Sequence, residues 1–329
     1  MAVAVSSASR RPTKFGSSSI SVVDNVEVQE LAKTYIDFHK ALLGYNDFAG
    51  LVESSGSAAN FRALEIAKSV SRKSKVLCTE LSHLSITKAC QQLGLEPVIL
   101  RLNDSLQVGE EGLKEIVDKE GDSFAAVVST YGTTQLGNIE LLGHHPLVQN
   151  LRQRGTLLHL DAAYGGTLFA YSNFSLDKFP NLDTITLDPH KFIGKPGCSL
   201  LLGRADLLEK NRINVGYYTQ SPYTLNTTLS IEPIVAWHDL HQKGLARLQN
   251  YADGCISSAK RIAERLKANG IELVSEQQLG IVAIKLASLE TVNEVKEQLL
   301  QEGISVGKVQ LPAAQGIRVV CTARVPERY

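Results

Sequence analysis

Residues 182–197 have the sequence Leu-Asp-Thr-Ile-Thr-Leu-Asp-Pro-His-Lys-Phe-Ile-Gly-Lys-Pro-Gly. The β-branched and apolar run at 184–187 predicts a strand, and the segment Asp188-Pro189-His190-Lys191 with the glycines and prolines after it predicts a turn. Lys191 would then lie at the carboxyl end of a strand, where open α/β sheets bind ligands. A partly buried lysine has a lowered pKa and can form a Schiff base, so Lys191 is a candidate nucleophile. The alternative is an ordinary solvated lysine.

A second motif, His-Leu-Asp-Ala-Ala-Tyr-Gly-Gly at 159–166, places Asp161 at the end of an apolar strand. A buried carboxylate needs a cationic partner, and a protonated ring nitrogen would serve. The small residues after Asp161, including Ala163, would let a flat ring lie against the backbone. The alternative is that Asp161 caps the next helix or turn.

Three further segments follow predicted strands. Residues 54–60, Ser-Ser-Gly-Ser-Ala-Ala-Asn, begin a predicted helix, whose free N–H groups and dipole suit a phosphate, although an ordinary N-cap would have the same residues. His83 begins another helix, and Gly132-Thr133-Thr134 follows a strand at 125–129. Taken singly, His83 would be a capping or surface histidine, and Gly132-Thr133-Thr134 would be an ordinary turn. Together the segments are expected at one edge of a sheet.

The order of elements predicts an α/β fold with a mostly parallel central sheet flanked by helices. A helical pattern covers 26–43, and strands at 75–79, 97–102, 125–129, 156–160 and 184–187 alternate with helices such as 57–71 and 84–93. Two helical patterns follow between 232 and 268. Strands at 271–274, 281–286 and 317–321 with a helix at 289–302 then predict a small C-terminal α+β domain. The expected division is a mobile N-terminal arm (1–19), a large domain (20–248) and a small domain (249–329).

The composition favours a small-molecule ligand. Lys plus Arg and Asp plus Glu both total 34, so the net charge of zero gives no basic field for nucleic acid or a membrane surface. The apolar runs are far shorter than the ~20 residues of a spanning helix. Five cysteines without a CxxC pair indicate neither a disulfide framework nor a metal site, and they favour a cytoplasmic location.

The order of these motifs resembles that of the group II amino-acid decarboxylases, which use pyridoxal 5′-phosphate (PLP). The resemblance spans roughly residues 50–245, and the motifs at 159–166 and 188–191 are its most specific part. Residues 190–196 lean toward the bacterial histidine decarboxylase branch. The resemblance implies the fold-type I PLP architecture, decarboxylation of an L-amino acid to an amine and CO2, and a homodimer with its sites at the subunit interface.

The resemblance also implies roles for individual residues. Lys191 would form the Schiff base with PLP, Asp161 would pair with the pyridinium, and His83 would stack on the ring. Other expected cofactor contacts are Ser55, Gly56, Ser57, Asp188 and His190 around the phosphate, Ala163 and Thr134 at the ring, and Thr228 or Thr227 from the partner subunit. Tyr217 or Tyr218 would protonate Cα after CO2 leaves, whereas the alternative for such a pair is packing or an interface.

Some positions depart from the family pattern. Ala58 replaces an acidic residue, Leu229 stands where relatives have arginine, and the N-terminal segment is short. Two other functions therefore stay open. One is a different fold-type I reaction, such as transamination or desulfuration with Cys321 as the late cysteine. The other is a PLP-binding partner subunit without turnover. Arg318 is a candidate contact for a substrate carboxylate, and the alternative is an exposed arginine.

Overall fold

A computed structural model describes residues 20–21, 26–173, 181–192, 197–210, 228–229, 232–242 and 244–322. The helices there are α1 (Val26–Leu43), α2 (Gly56–Ser71), α3 (Leu84–Leu93), α4 (Glu110–Glu120), α5 (Pro146–Gln153), α6 (Gly165–Tyr171), α7 (Ala205–Lys210), α8 (Glu232–Gln242), α9 (Leu245–Ala268) and α10 (Leu289–Gln301). The strands are β1 (Ile20–Ser21), β2 (Phe48–Glu53), β3 (Lys75–Thr79), β4 (Glu96–Leu100), β5 (Phe124–Thr130), β6 (Leu157–Asp161), β7 (Thr184–Leu187), β8 (Ser199–Arg204), β9 (Thr228–Leu229), β10 (Ile281–Lys285), β11 (Gly307–Gln310) and β12 (Gln315–Val320).

The central sheet has the strand order β2-β8-β7-β6-β5-β3-β4. Strand β8 runs antiparallel to both of its neighbours, whereas the pairs from β7 to β4 are parallel. This arrangement confirms the predicted mostly parallel sheet. Because β5, β6 and β7 point the same way, the segments that follow them meet at one edge.

The C-terminal part has a separate antiparallel sheet of order β10-β12-β11. Val292 of α10 and Ile317 of β12 belong to one buried cluster, which packs the helix on this sheet. Ala283 of β10 and Val309 of β11 belong to another, together with Leu136 of the loop after β5. The strand predicted at 271–274 forms only an isolated bridge to β10.

Strand β11 was not predicted, since only the side chain of Val309 is buried in its four residues. Helix α9 passes through the predicted boundary at 248/249 without interruption, so the domain division stays a prediction. Among the described helices, none is both long and apolar enough to cross a bilayer.

A directional chain of hydrogen bonds joins α1, α6 and α8 inside the core. Trp237 Nε1 donates to Tyr171 Oη (3.1 Å), which lies 3.1 Å from His39 Nε2. His39 Nδ1 lies 2.8 Å from the carbonyl oxygen of Tyr35, which can only accept, so His39 carries its proton on Nδ1. Tyr35 Oη in turn donates to the carbonyl oxygen of Cys198 (2.7 Å). Burial lowers the pKa of His39 from 6.5 to about 4, so its neutral form is the one that fits the core.

Because His39 is buried in its neutral form, we expect the free energy of unfolding to fall in acid. The pKa of His39 is lower in the folded chain than in the unfolded chain. The stability that depends on the neutral ring is therefore fully present above pH 6.5 and is lost as pH falls toward 4, a loss on the order of 3 kcal/mol. His39→Gln, which can make similar hydrogen bonds without titrating, should reduce the fall in unfolding free energy between pH 6.5 and 4, measured by urea denaturation. Replacing the exposed His144 with Asn should leave the slope unchanged; equal slopes for His39→Gln and the parent chain would contradict the assignment.

Candidate active site

The predicted site residues lie at the carboxyl edge of β5, β6 and β7. Thr130 of β5 is in register with Asp161 of β6, which is in register with Thr186 of β7. Lys191 follows β7 in a short 3-10 turn, Pro189–Lys191. The sheet therefore brings together motifs that are far apart in the sequence.

Asp161 is buried at this edge, with 4% of its surface exposed. Its Oδ2 accepts a hydrogen bond from Asn60 Nδ2 (2.9 Å), and its Oδ1 accepts one from the backbone N–H of Ala163 (3.2 Å). These two bonds fix the plane of the carboxylate. They add no positive charge, so the carboxylate can still accept a cationic ligand group.

His83 is the N-cap of α3 and lies on the same edge. Its Nδ1 accepts from the backbone N–H of Ser85 (3.2 Å) and is 2.8 Å from Ser85 Oγ. Partial burial lowers the pKa of His83, opposed by the nearby Asp161. The neutral imidazole is therefore favoured at this position.

The start of α2 forms a crowded corner with the ends of β6 and β7. Ser55 is the extended N-cap of α2 and accepts from the N–H of Ala58 (3.2 Å). A Cβ at Gly56 would come within 3.0 Å of Asp188 Oδ2 and 3.4 Å of the Cβ of Ala163, so the backbone approaches this closely only because residue 56 is glycine.

Asp188 contacts both Ser199 and His190. Its Oδ1 accepts from Ser199 Oγ (2.6 Å) and lies 2.5 Å from Nδ1 of His190. The N–H groups of Gly56 and Ser57 at the helix start, the N-cap hydroxyl and His190 form a donor set suited to a phosphate. The predicted phosphate residues are thus neighbours.

A cavity of about 430 Å³ lies at this edge. It is lined by His83, Thr134, Tyr164, His190, Lys191, Ile281, Arg318 and Val320. Lys191 is exposed here, whereas partial burial was expected from the sequence. His83, His190 and Lys191, which come from two separate motifs, therefore line one cavity.

Three lining residues carry a buried polar atom without a hydrogen bond among the described residues. These atoms are Tyr164 Oη, Arg318 Nε and His190 Nδ1, the last of which lies beside Asp188. Arg318 is half-buried against Gly307, which rules out the simple surface arginine considered from the sequence. Tyr164 was not predicted as a site residue, although its place after Asp161-Ala162-Ala163 could have suggested it.

The remaining predicted site residues are not among those that line this cavity. Tyr217, Tyr218 and Thr227 fall outside the described residues, and so does the predicted arm at 1–19. Thr228 belongs to β9, whose backbone pairs with Ser21 of β1. Cys321 is buried in the core between α9 and the small sheet and is not among the residues that line the cavity, although it follows Val320, which is.

Comparisons with known proteins identify the family of this chain. The model of the pyridoxal-dependent decarboxylase conserved domain matches residues 58–287. An aromatic-L-amino-acid decarboxylase of Bacillus atrophaeus is 27% identical over 83% of this chain, and a probable L-tyrosine/L-aspartate decarboxylase of Methanothrix thermoacetophila is 26% identical over 87%. The matched regions span 64% and 75% of these relatives' lengths.

A solved structure supports the fold. The crystal structure of Oryza sativa TDC with PLP and tryptamine superposes with a TM-score of 0.77 at 18% identity, over 90% of this chain and 72% of that chain. The central sheet and this likeness confirm the predicted fold-type I architecture. Because the family model covers most of the chain, including Asp161 and Lys191, the chain belongs to the pyridoxal-dependent decarboxylase family.

Proposed function

We propose that this chain catalyses the PLP-dependent decarboxylation of an L-amino acid to an amine and CO2, with Lys191 holding the cofactor. The observation that carries the proposal is the single cavity onto which Lys191, His83, Thr134 and His190 all open, in a chain of this family. These residues come from three separate motifs, so their convergence does not follow from any one of them.

The residues present fit PLP. Glycine at residue 56 lets the start of α2 pack directly against Asp188 and Ala163, so the N–H groups of its first turn lie beside the ends of β6 and β7, where they would meet a phosphate. Ser55, Ser57 and His190 would hold that phosphate, and Thr228 of the partner subunit would complete it. When bound, PLP supplies an electron sink for the bond broken at Cα.

The chain's own residues orient the reacting groups. Asp161, held by Asn60 and the N–H of Ala163, would place its charge against the ring nitrogen. His83 and Ala163 would contact the two faces of the ring, and Thr134 would contact its hydroxyl. Lys191 Nζ would hold the aldehyde carbon until the substrate amine replaces it, and Tyr217 or Tyr218 would deliver a proton to Cα.

Arg318 and Tyr164 suggest where the substrate lies. Both line the cavity and both present a buried polar atom without a partner among the described residues, so they suit a substrate carboxylate. The relatives act on aromatic amino acids, tyrosine or aspartate by their names, and we extend that range to this chain as a proposal. The leaning of 190–196 toward histidine decarboxylases stays a hypothesis, so histidine belongs in the substrate panel.

The proposal includes a cytoplasmic homodimer. Support for the dimer comes from the sequence resemblance at Thr228, which assigns this residue to the partner's phosphate. Five free, buried cysteines are compatible with a reducing compartment.

Lys191 should be the site of covalent attachment. Borohydride treatment of the PLP-loaded protein should fix the cofactor on the peptide that contains Lys191, detected by mass spectrometry. A panel of amino acids that includes tyrosine, tryptophan, aspartate, glutamate and histidine should yield an amine and CO2. Lys191→Ala should abolish both results, whereas Lys114→Ala on the surface of α4 should retain them. An adduct on another lysine, or release of sulfide or a keto acid as the main product, would defeat the proposal.

Arg318 should contribute to substrate binding through the carboxylate. Arg318→Gln should raise KM by about tenfold to a hundredfold, since hydrogen bonds to charged groups contribute about 1.5–3 kcal/mol. Inhibition by the amine product, which lacks that carboxylate, should change little. The exposed Arg265→Gln is the matched control. An equal loss of affinity for substrate and amine would point to damage of the cavity instead.

The subunits should complement each other. Mixed chains carrying Lys191→Ala and Thr228→Val should recover about a quarter of the normal activity, because half of the dimers are hybrids and each has one intact site. Each variant alone should have little activity. A mixture with no more activity than its components, or a fully active monomer in sedimentation, would refute a shared site.

A further inference from the structure

Asn60 connects three side chains at the candidate site. It lies on α2 with 1% of its surface exposed. Its Nδ2 is 2.9 Å from Asp161 Oδ2 and 2.9 Å from Ser85 Oγ, and its Oδ1 is 3.1 Å from His159 Nε2. No motif in the sequence marks this asparagine as more than part of a helix start.

The carboxylate of Asp161 fixes the direction of the first set of bonds. Since a carboxylate oxygen accepts, the NH2 group of Asn60 must face Asp161, and its second hydrogen goes to Ser85 Oγ. The amide oxygen then faces His159, which must donate from Nε2. His159 Nδ1 accepts from the hydroxyl of Thr184 at 2.9 Å. Burial lowers the pKa of His159 to about 4, which agrees with the neutral ring that this pattern requires.

The second set of bonds runs from Ser85 to His83. The backbone N–H of Ser85 donates to His83 Nδ1, so this nitrogen carries no hydrogen. The Ser85 hydroxyl accepts from Asn60 and therefore donates to the same Nδ1 at 2.8 Å. The remaining proton of a neutral His83 ring is on Nε2.

We infer that Asn60 is a positioning residue that sets two properties at once: the orientation of the Asp161 carboxylate and the direction of the Ser85 hydroxyl, which becomes a second donor to His83 Nδ1 beside the backbone N–H of Ser85. Asn60 donates to the Ser85 oxygen, so the Ser85 hydroxyl donates its own hydrogen to His83 Nδ1. The proton of the neutral His83 ring is then on Nε2, and His83 lines the cavity. The catalytic consequence rests on the proposed function. The hydrogen-bond coupling is a property of the chain itself.

Charges from several elements surround His83. Asp161 of β6 favours its protonated form, whereas Lys191 after β7, Lys88 on its own helix and Arg318 of β12 oppose it, together with burial. Asn60→Ser and Ser85→Ala leave these charges unchanged, so a change in His83 in those two variants would report the hydrogen bonds.

The test is 15N NMR of the full chain labelled at histidine, with and without PLP, using His83→Gln to assign the signal. The parent chain should show His83 as a single Nε2–H tautomer. Ser85→Ala removes the hydroxyl donor to Nδ1 and leaves the backbone N–H of residue 85 in place, so the Nδ1 signal should shift while the ring stays an Nε2–H tautomer. Asn60→Asp should also shift the Nδ1 signal, because the Ser85 hydroxyl would turn to the new carboxylate.

Two further variants make the result specific. Thr184→Val breaks only the bond to His159 and should leave the His83 signal unchanged. Asn60→Ser removes the amide donors without adding a charge and should shift the Nδ1 signal of His83 as Ser85→Ala does, with circular dichroism used to verify folding. An Nδ1–H tautomer in the parent chain, or an unchanged His83 signal in the Asn60 variants, would overturn the inference.

Kinetics separate this inference from the proposed function. In Asn60→Asp and Ser85→Ala, kcat should fall by about tenfold to a hundredfold while KM changes little, as expected when a reacting group is misplaced but binding remains. If the NMR changes occur and the chain does not decarboxylate any amino acid, the coupling stands and the proposed function fails. If decarboxylation is established and the His83 signal never changes, the coupling fails alone.

Discussion

The buried carboxylate of Asp161 is the constraint around which the site is arranged. An acid at the end of an internal strand loses its water, and the two hydrogen bonds that it accepts within the described residues come from neutral donors. Such a group favours a cation beside it, and the protonated ring nitrogen of PLP is the cation proposed for that place. The same carboxylate fixes the amide of Asn60, so its influence extends through neutral side chains as well as through its charge.

Close backbone contacts bring the other groups to Asp161. Gly165, which begins α6, donates to the carbonyl oxygen of Tyr131 at 2.9 Å, and a Cβ at Gly165 would lie 2.5 Å from that oxygen. Gly132 has φ of 93°, and a Cβ there would lie 2.8 Å from the N atom of Gly165. Larger residues at either position would separate β5 from the chain after β6, and Thr134 would move away from the cavity. The close contact between these two segments therefore requires glycine at both positions.

Much of this arrangement could be predicted from the sequence because it depends on local patterns. The strands at 75–79 and 184–187 and the helices at 26–43 and 84–93 have the predicted bounds, since their apolar periodicity and end signals agree. The carboxyl edge then follows from parallel pairing. Arg318 and Tyr164 could not be placed together in this way, because they meet only when β12 packs against the chain after β6, and no local pattern specifies that contact. Asn60 was missed for a related reason: its partners are distant in the sequence, with Ser85 on α3 and both His159 and Asp161 on β6.

Contacts with the C-terminal part extend the site beyond the carboxyl edge of the central sheet. The loop after β5 is joined to that part by hydrogen bonds from Gln310 N to Gln135 Oε1 (2.7 Å), from Ile139 N to Gln278 Oε1 (2.6 Å) and from Ser275 Oγ to Asn138 Oδ1 (3.0 Å). This loop also carries Thr134, which lines the cavity together with Arg318 of β12. Any shift of the small sheet would therefore move Thr134 and Arg318 together. The group proposed to contact the cofactor ring and the group proposed to contact the substrate are thus coupled by the packing of the two parts of the chain.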